Sequence, residues 1–409
     1  MPHALLVLAI VAAVGDVGAW PQFRGARSDA DVGGGTAPLR WSDDENVVWK
    51  KSLPGLGWSS PIVAGGRVYV TTAAPVGEGL SLRALALDAE SGSVAWDTEI
   101  RAVAAAPAIH FKNSHASPTP ILRDGALFVH FGTLGTARLA AHDGTLQWLC
   151  TELEYPPVHG SGGSPVLSDG ILVIVCDGGV GPFVAALDAE SGKIAWKTPR
   201  SVKADISHSF VTPLATVVEG RTQVLAPGPD HCAAYDLATG AEIWRVRARG
   251  WSVVPQPLVH AGLAIYNHDY DHPELMAVRL GGAGDVTESH VAWRRQRGAP
   301  STPTPLLVGE EIYTVSDNGV ASCFDARTGA EHWMRRIGGN YSASPVHAEG
   351  RVLFLSEQGA AVWVRAAKEF EIVAKNEVSG KTLATPAFDG RAMYLRTDEH
   401  LLRIEEPPR

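Results

Sequence analysis

Cysteine is scarce: 4 of 409 residues (Cys150, Cys176, Cys232 and Cys323), none adjacent to another and none in a C-x-x-C pair. That excludes a disulfide framework as the source of the fold, and it excludes a thiolate metal or redox motif. Each cysteine sits in an apolar, strand-like context, so buried free thiols are expected, with one disulfide left open. Positive charge is also short, 35 Lys and Arg against 44 Asp and Glu for a formal charge of −9. Such a chain lacks the basic surface that a phosphate backbone requires, and no nucleic-acid partner is expected. Past residue 20 no apolar run is long enough to span a bilayer as a helix. No H-E-x-x-H or nucleophile-elbow pattern occurs, and GSGGSP at 160–165 runs into a strand-like segment where a nucleotide-binding loop needs a helix. No catalytic residue is assigned.

The one apolar stretch of note is ALLVLAIVAAV at 4–14, with Gly18 and Ala19 close behind. It is too short to span a membrane and has the build of a secretory signal, read here as residues 1–19, although the leader carries only His3 and no Lys or Arg. No cysteine follows it for lipid attachment. The expected location is periplasmic or secreted.

What the chain has in abundance is repetition. LDAESGSVAW at 87–96 returns as LDAESGKIAW at 187–196, and more loosely as YDLATGAEIW at 235–244, FDARTGAEHW at 324–333 and HDGTLQW at 142–148. In the full copies Asp, Gly and Trp keep one spacing. An apolar strand ends at Asp, whose side chain bonds the turn; Gly supplies the positive φ, and a second strand carries Trp into the core. A second phrase alternates with the first: a proline, a turn about five residues later, then an apolar run, as in SSPIVAGGRVYV at 59–70 and GSPVLSDGILVIV at 163–175. The proline opens a strand where its missing N–H costs nothing.

These anchor prolines are 61, 120, 165, 213, 257, 305, 345 and 386, eight units of about 46 residues. Two hairpins per unit make four strands, so the expected fold is all-β: an eight-bladed β-propeller of four-stranded antiparallel blades over residues 46–406. Unit eight runs out of chain after three strands. The segment ENVVWKK, with Trp49, is expected to supply the fourth and to close the ring by pairing N- and C-terminal strands. Trp49, Trp96, Trp148, Trp196, Trp244, Trp293 and Trp333 then hold equivalent blade-docking places, and unit seven presents Ile372 or Val373 instead. Residues 20–45 are expected to lie on the propeller.

The Asp, Thr- or Ser-Gly turn and docking Trp resemble the pyrroloquinoline-quinone (PQQ) repeat. WPQFRG at 20–25, FKNSHASPTP at 111–120, VHGSGGSP at 158–165 and YSASPV at 341–346 are similar to exported, quinone-binding-like bacterial propellers related to the outer-membrane protein assembly factor, BamB. The resemblance covers almost all of the chain beyond the leader. It implies a cell-envelope compartment and envelope or outer-membrane protein partners. It also implies an alternative, a PQQ-dependent dehydrogenase with quinone and calcium at the channel mouth. That enzyme class often carries vicinal cysteines and long insertions, which this chain lacks.

Loops entering the innermost strands converge on one mouth of a propeller. In that position stand His115, His208, Asn340 and Lys381, with Trp58, His159, Trp251 and Tyr341 beside them. Polar groups and aromatics converging in a concavity suit a small ligand or a peptide, whereas His in tight loops equally serves the loop backbone. The acidic loop NHDYDHPE at 267–274, expected away from that mouth, offers Asn267, Asp269 and Asp271 to a cation, yet a solvated loop fits as well. The metal assignment stays unknown. The expectation is a monomeric, non-catalytic binding or assembly scaffold with no cofactor.

Overall fold

The computed structural model describes residues 18–407. The stretch read as a signal peptide lies almost wholly outside them. Eight sheets form, each built on four antiparallel strands, in sequence order in seven and completed from the N-terminal side in the last, as expected for an eight-bladed propeller. Every anchor proline is followed at the next residue by an inner strand: Ile62–Ala64 after Pro61, Ile121–Arg123 after Pro120, and so on to Ala387–Phe388 after Pro386. The ring closes as the composition of the two ends required. Val47–Ser52 is the outer strand of the last blade and pairs antiparallel with His400–Ile404, Trp49 opposite Arg403.

Docking between blades rests on one local device. In all eight blades the register slips by one residue at the tryptophan position of the outer strand. Such a bulge re-aims the side chain and increases local twist. The indole then leaves its own sheet: Trp96 Nε1 donates to Ala141 O (3.0 Å), Trp148 to Ala189 O (3.1 Å) and Trp196 to Leu237 O (2.9 Å), each in the next blade. The turn glycine is required twice over. Gly240 has φ +70°, and a Cβ there would lie 2.4 Å from Trp196 of the preceding blade. The turn aspartate is spent locally, Asp188 Oδ1 accepting the Ser191 N–H (2.8 Å) and hydroxyl (2.6 Å).

Two blades depart from this. In unit seven the residue in register with the other tryptophans is Ala374, neither Ile372 nor Val373, and it faces Trp363 across the ladder. The indole has changed strands, and Trp363 Nε1 donates to Pro38 O (3.1 Å). In unit five the insertion displaces the hairpin on which Trp244 would dock, so that Nε1 turns to Gln223 Oε1 in its own blade (3.3 Å). Gly284–Asp285 of the insertion adds a short parallel fifth strand beside Trp244 and Arg245, covering that blade's outer edge.

Residues 20–45 enter the channel from the face of the inner-hairpin turns. Inner strands present unpaired N–H and C=O groups to the channel, and the segment satisfies several of them. Trp20 exchanges two backbone hydrogen bonds with Val63 (2.7 and 2.9 Å), Leu122 N–H donates to Pro21 O (2.7 Å) and His347 N–H to Ala30 O (2.9 Å). The Arg24 guanidinium, fully buried, crosses to Thr304 O (3.3 Å) and Pro305 O (3.0 Å). Trp20 and Trp41 are buried in the core shared with units one, six, seven and eight. The segment therefore stoppers the channel on one side. All four cysteines are buried and free.

Candidate functional site

Chain direction decides which loops share the open face. Each inner strand starts at the mouth and its neighbours alternate in direction, so loops joining second to third strands return to that same face. The loop at 267–274 is one of these, which corrects the expectation that it lies away from the mouth. Tyr270 N–H donates to Trp251 O (3.1 Å), Ser301 Oγ donates to Tyr270 O (2.8 Å), and Tyr270 lines the channel. The loop's polar groups are spent on itself and on the neighbouring Pro300 loop: Asn267 Nδ2 donates to Asp269 O and Pro300 O (2.9 Å each), and His268 pairs with Glu274 (2.8 Å).

Stopper and loops enclose a blind well of about 320 Å³. Phe23 of the stopper reaches it from below; Trp58, Phe210, Trp251 and Tyr270 line its wall with His110 and His159. Deeper down runs a belt of hydroxyls from the residues preceding the anchor prolines. Thr119 Oγ1 accepts Ser60 N–H (3.0 Å), Ser164 Oγ accepts Thr119 N–H (2.8 Å), and Thr212 Oγ1 accepts Ser164 N–H (2.9 Å). Across the channel Thr304 accepts from Gln256 (3.0 Å), Ser344 from Thr304 (3.0 Å) and Thr385 from Ser344 (2.9 Å). At unit five Gln256 replaces the hydroxyl and sends Nε2 to Pro213 O (3.1 Å), interrupting the belt.

Around the rim the rings of His110, His159, His208 and Trp251 follow one another at 5.4, 5.3 and 5.4 Å between centroids. Burial, and then the neighbouring His159, hold His208 and His110 below the ordinary imidazole pKa. The loop at 104–120 leans over the mouth, where Lys112 Nζ meets Glu357 Oε1 of unit seven at 2.7 Å, and Ser342 Oγ donates to the same oxygen (2.7 Å).

Of the residues expected at the mouth, Trp58, His159 and Trp251 line the well. His208 packs behind His159 and Trp251, and the Lys381 ammonium stands 5.8 Å from the Trp58 ring centre. The other three are not brought in. His115 is half-buried beside the Trp58 loop, whose N–H donates to Ala116 O (3.1 Å). Asn340 is exposed, its N–H bonded to Gln358 Oε1 (3.0 Å). Tyr341, 1% exposed, is part of the hydrophobic core. The hydroxyl belt was missed, although the Ser or Thr before seven of eight anchor prolines was its signal.

The donor set fits a calcium-bound quinone poorly. A hard cation of that size takes six to eight oxygens, several of them carboxylates. Among the described residues no Asp or Glu lines the well, and no cluster of His, Cys, Asp or Glu suited to a metal occurs.

A closed ring of eight four-stranded blades, docked through the repeated Asp, turn Gly and Trp, is a PQQ-repeat β-propeller. Within that class, the family profile of the outer membrane protein assembly factor BamB matches residues 39–199 and 182–406, and the chain belongs to that family. The BamB of Moranella endobia (strain PCIT) is 22% identical over 356 residues, 86% of this chain and 73% of that one. The crystal structure of BamB from Moraxella catarrhalis is similar with TM-score 0.58 at 15% identity, over 88% of this chain and 99% of that one. A europium-containing methanol dehydrogenase shares the fold with TM-score 0.69 at 12% identity, over 94% and 91% of the two chains.

Proposed function

We propose that the chain is a monomeric, non-catalytic scaffold of the cell envelope, exported to the periplasm, which docks an outer-membrane assembly partner at its open mouth. The observation that carries this is family membership combined with a rigid, one-sided display face. The rim presents Phe111, 86% exposed, beside His110 and the well, with Val158, Val180 and Ile206 exposed on the loops that follow. Exposed apolar groups on adjacent rigid loops are what a protein partner would cover. A photo-crosslinking amino acid at position 111 is expected to capture a component of the outer-membrane assembly machinery. The same residue at Val217, 66% exposed on an inner strand's far end, is expected to capture none. Equal yields at both positions, or none at either, count against the scaffold.

The likeness to methanol dehydrogenase keeps one alternative in view, a quinoprotein with PQQ and calcium at the mouth. Calorimetry with the quinone and calcium tests it, and the carboxylate-free well supports an outcome without tight binding.

A further inference from the structure

The hydroxyl belt has chemistry left over. A serine or threonine hydroxyl carries one donor and two lone pairs. In Thr119, Ser164, Thr212, Thr304, Ser344 and Thr385 one lone pair is taken by a backbone N–H, and all six line the well while being no more than 7% exposed. Among the described residues none of the six donates its O–H to a protein acceptor. Buried donors aimed into one cavity without acceptors are a cost that a ligand can remove.

Two buried arginines flank the belt. Arg24 beneath it and Arg396 beside it are buried, and neither forms an ion pair with a carboxylate among the described residues. Burial lowers the Arg24 pKa to about 10, against an opposing pull from Asp29, and burial alone lowers that of Arg396 to about 9. Lys381 over Trp58 is likewise outside any ion pair. Of the rim carboxylates close by, Glu357 is already held by Lys112 and Ser342, and Asp317 by the N–H groups of Ser301 and Thr302 (2.8 and 3.1 Å). A hydroxyl oxygen alone would accept a cation as readily as an anion; a lining without Asp or Glu, flanked by two guanidiniums outside any ion pair, favours the anion.

We propose that the well binds the oxyanion headgroup of a small organic molecule, a carboxylate or phosphate, its oxygens taking the unspent O–H groups of the belt and its apolar body lying between Trp58 and Trp251. This rests on the reading of the mouth as a binding face, but it concerns a small ligand and not the protein partner. Calorimetry on the chain lacking its leader, with indole-3-propionate, its neutral amide and inorganic phosphate as probes, tests it. The acid is expected to bind at least about 10-fold more tightly than the amide, with phosphate alone competing weakly. T119V with T304V is expected to abolish that preference, T119S with T304S to retain it. If the valine pair does not fold, Lys381→Met, expected to weaken the acid but not the amide, carries the same test.

An amide that binds as well as the acid overturns the proposal, as does an acid whose affinity survives loss of the hydroxyls in a folded protein. So does no heat from acid or phosphate at about 5 mM. Phosphate binding as tightly as the acid would mean a free inorganic anion and overturn the organic body. Crosslinking from position 111 on the same protein separates the two readings: capture without anion binding removes only this proposal, and anion binding without capture removes only the scaffold.

Discussion

At the scale of single residues, His130 shows how burial writes itself into pH dependence. Its ring is 1% exposed, with Nδ1 at 2.8 Å from Thr136 Oγ1, and burial lowers its pKa from 6.5 to about 4. The unfolded chain therefore takes up the proton first. Stability from this site is complete above pH 6.5, falls as pH drops below it, and stops falling near pH 4, where the native ring is protonated too. Over that window the loss is on the order of 3 kcal/mol. The turn carboxylates behave oppositely in origin: hydrogen bonds from Ser191 hold Asp188 below its ordinary value, so its contribution goes only in stronger acid. Urea midpoints measured from pH 7 to 4 are expected to fall for the native protein and to fall distinctly less for His130→Gln. Parallel curves for the two would refute this assignment.

At the scale of elements, the hydroxyl belt joins inner strands that share no sheet. Thr304 accepts the Gln256 N–H, and Thr304 N–H is passed to Ser344. Thr304→Val keeps the shape of the side chain but strands a buried donor, and is expected to cost about 1–3 kcal/mol. Thr304→Ser keeps the acceptor and is expected to cost well under half of that; chemical denaturation of the two variants makes the comparison. The strands themselves were legible, because proline and turn glycines act within a few residues of the chain. The belt was not, although its letters were in plain view, because its hydrogen bonds run between units about 46 residues apart. The exchange of Trp363 and Ala374 was illegible for a related reason: which strand of a ladder carries the indole is a matter of register. The site was half legible. Trp58, His159 and Trp251 followed from loop position, whereas Tyr270 required knowing which face a second-to-third strand loop returns to.

At the scale of the molecule, the two jobs of the N-terminal region are separable. Residues 20–45 stopper the channel and bury Trp20 and Trp41, while Val47–Ser52 closes the ring. A chain beginning at Asn46 keeps closure and loses the stopper. It forfeits two buried indoles, the Arg24 bonds and the partner of Trp363, so its melting temperature is expected to fall further than for any single substitution above, yet it should melt cooperatively as a monomer. A chain beginning at Leu53 also loses the outer strand of the last blade. That bares the edge of His400–Ile404, whose Leu401, Leu402 and Ile404 are fully buried in the intact ring, and removes Trp49 from its place against Gly92. An apolar strand edge with free N–H and C=O groups is a template for pairing with another copy. Sedimentation velocity is therefore expected to find the Asn46 chain monomeric and the Leu53 chain self-associated. A Leu53 chain that sediments as a monomer and melts cooperatively would mean that the ring is held by blade-to-blade indoles alone, and that the shared last blade is not what seals it.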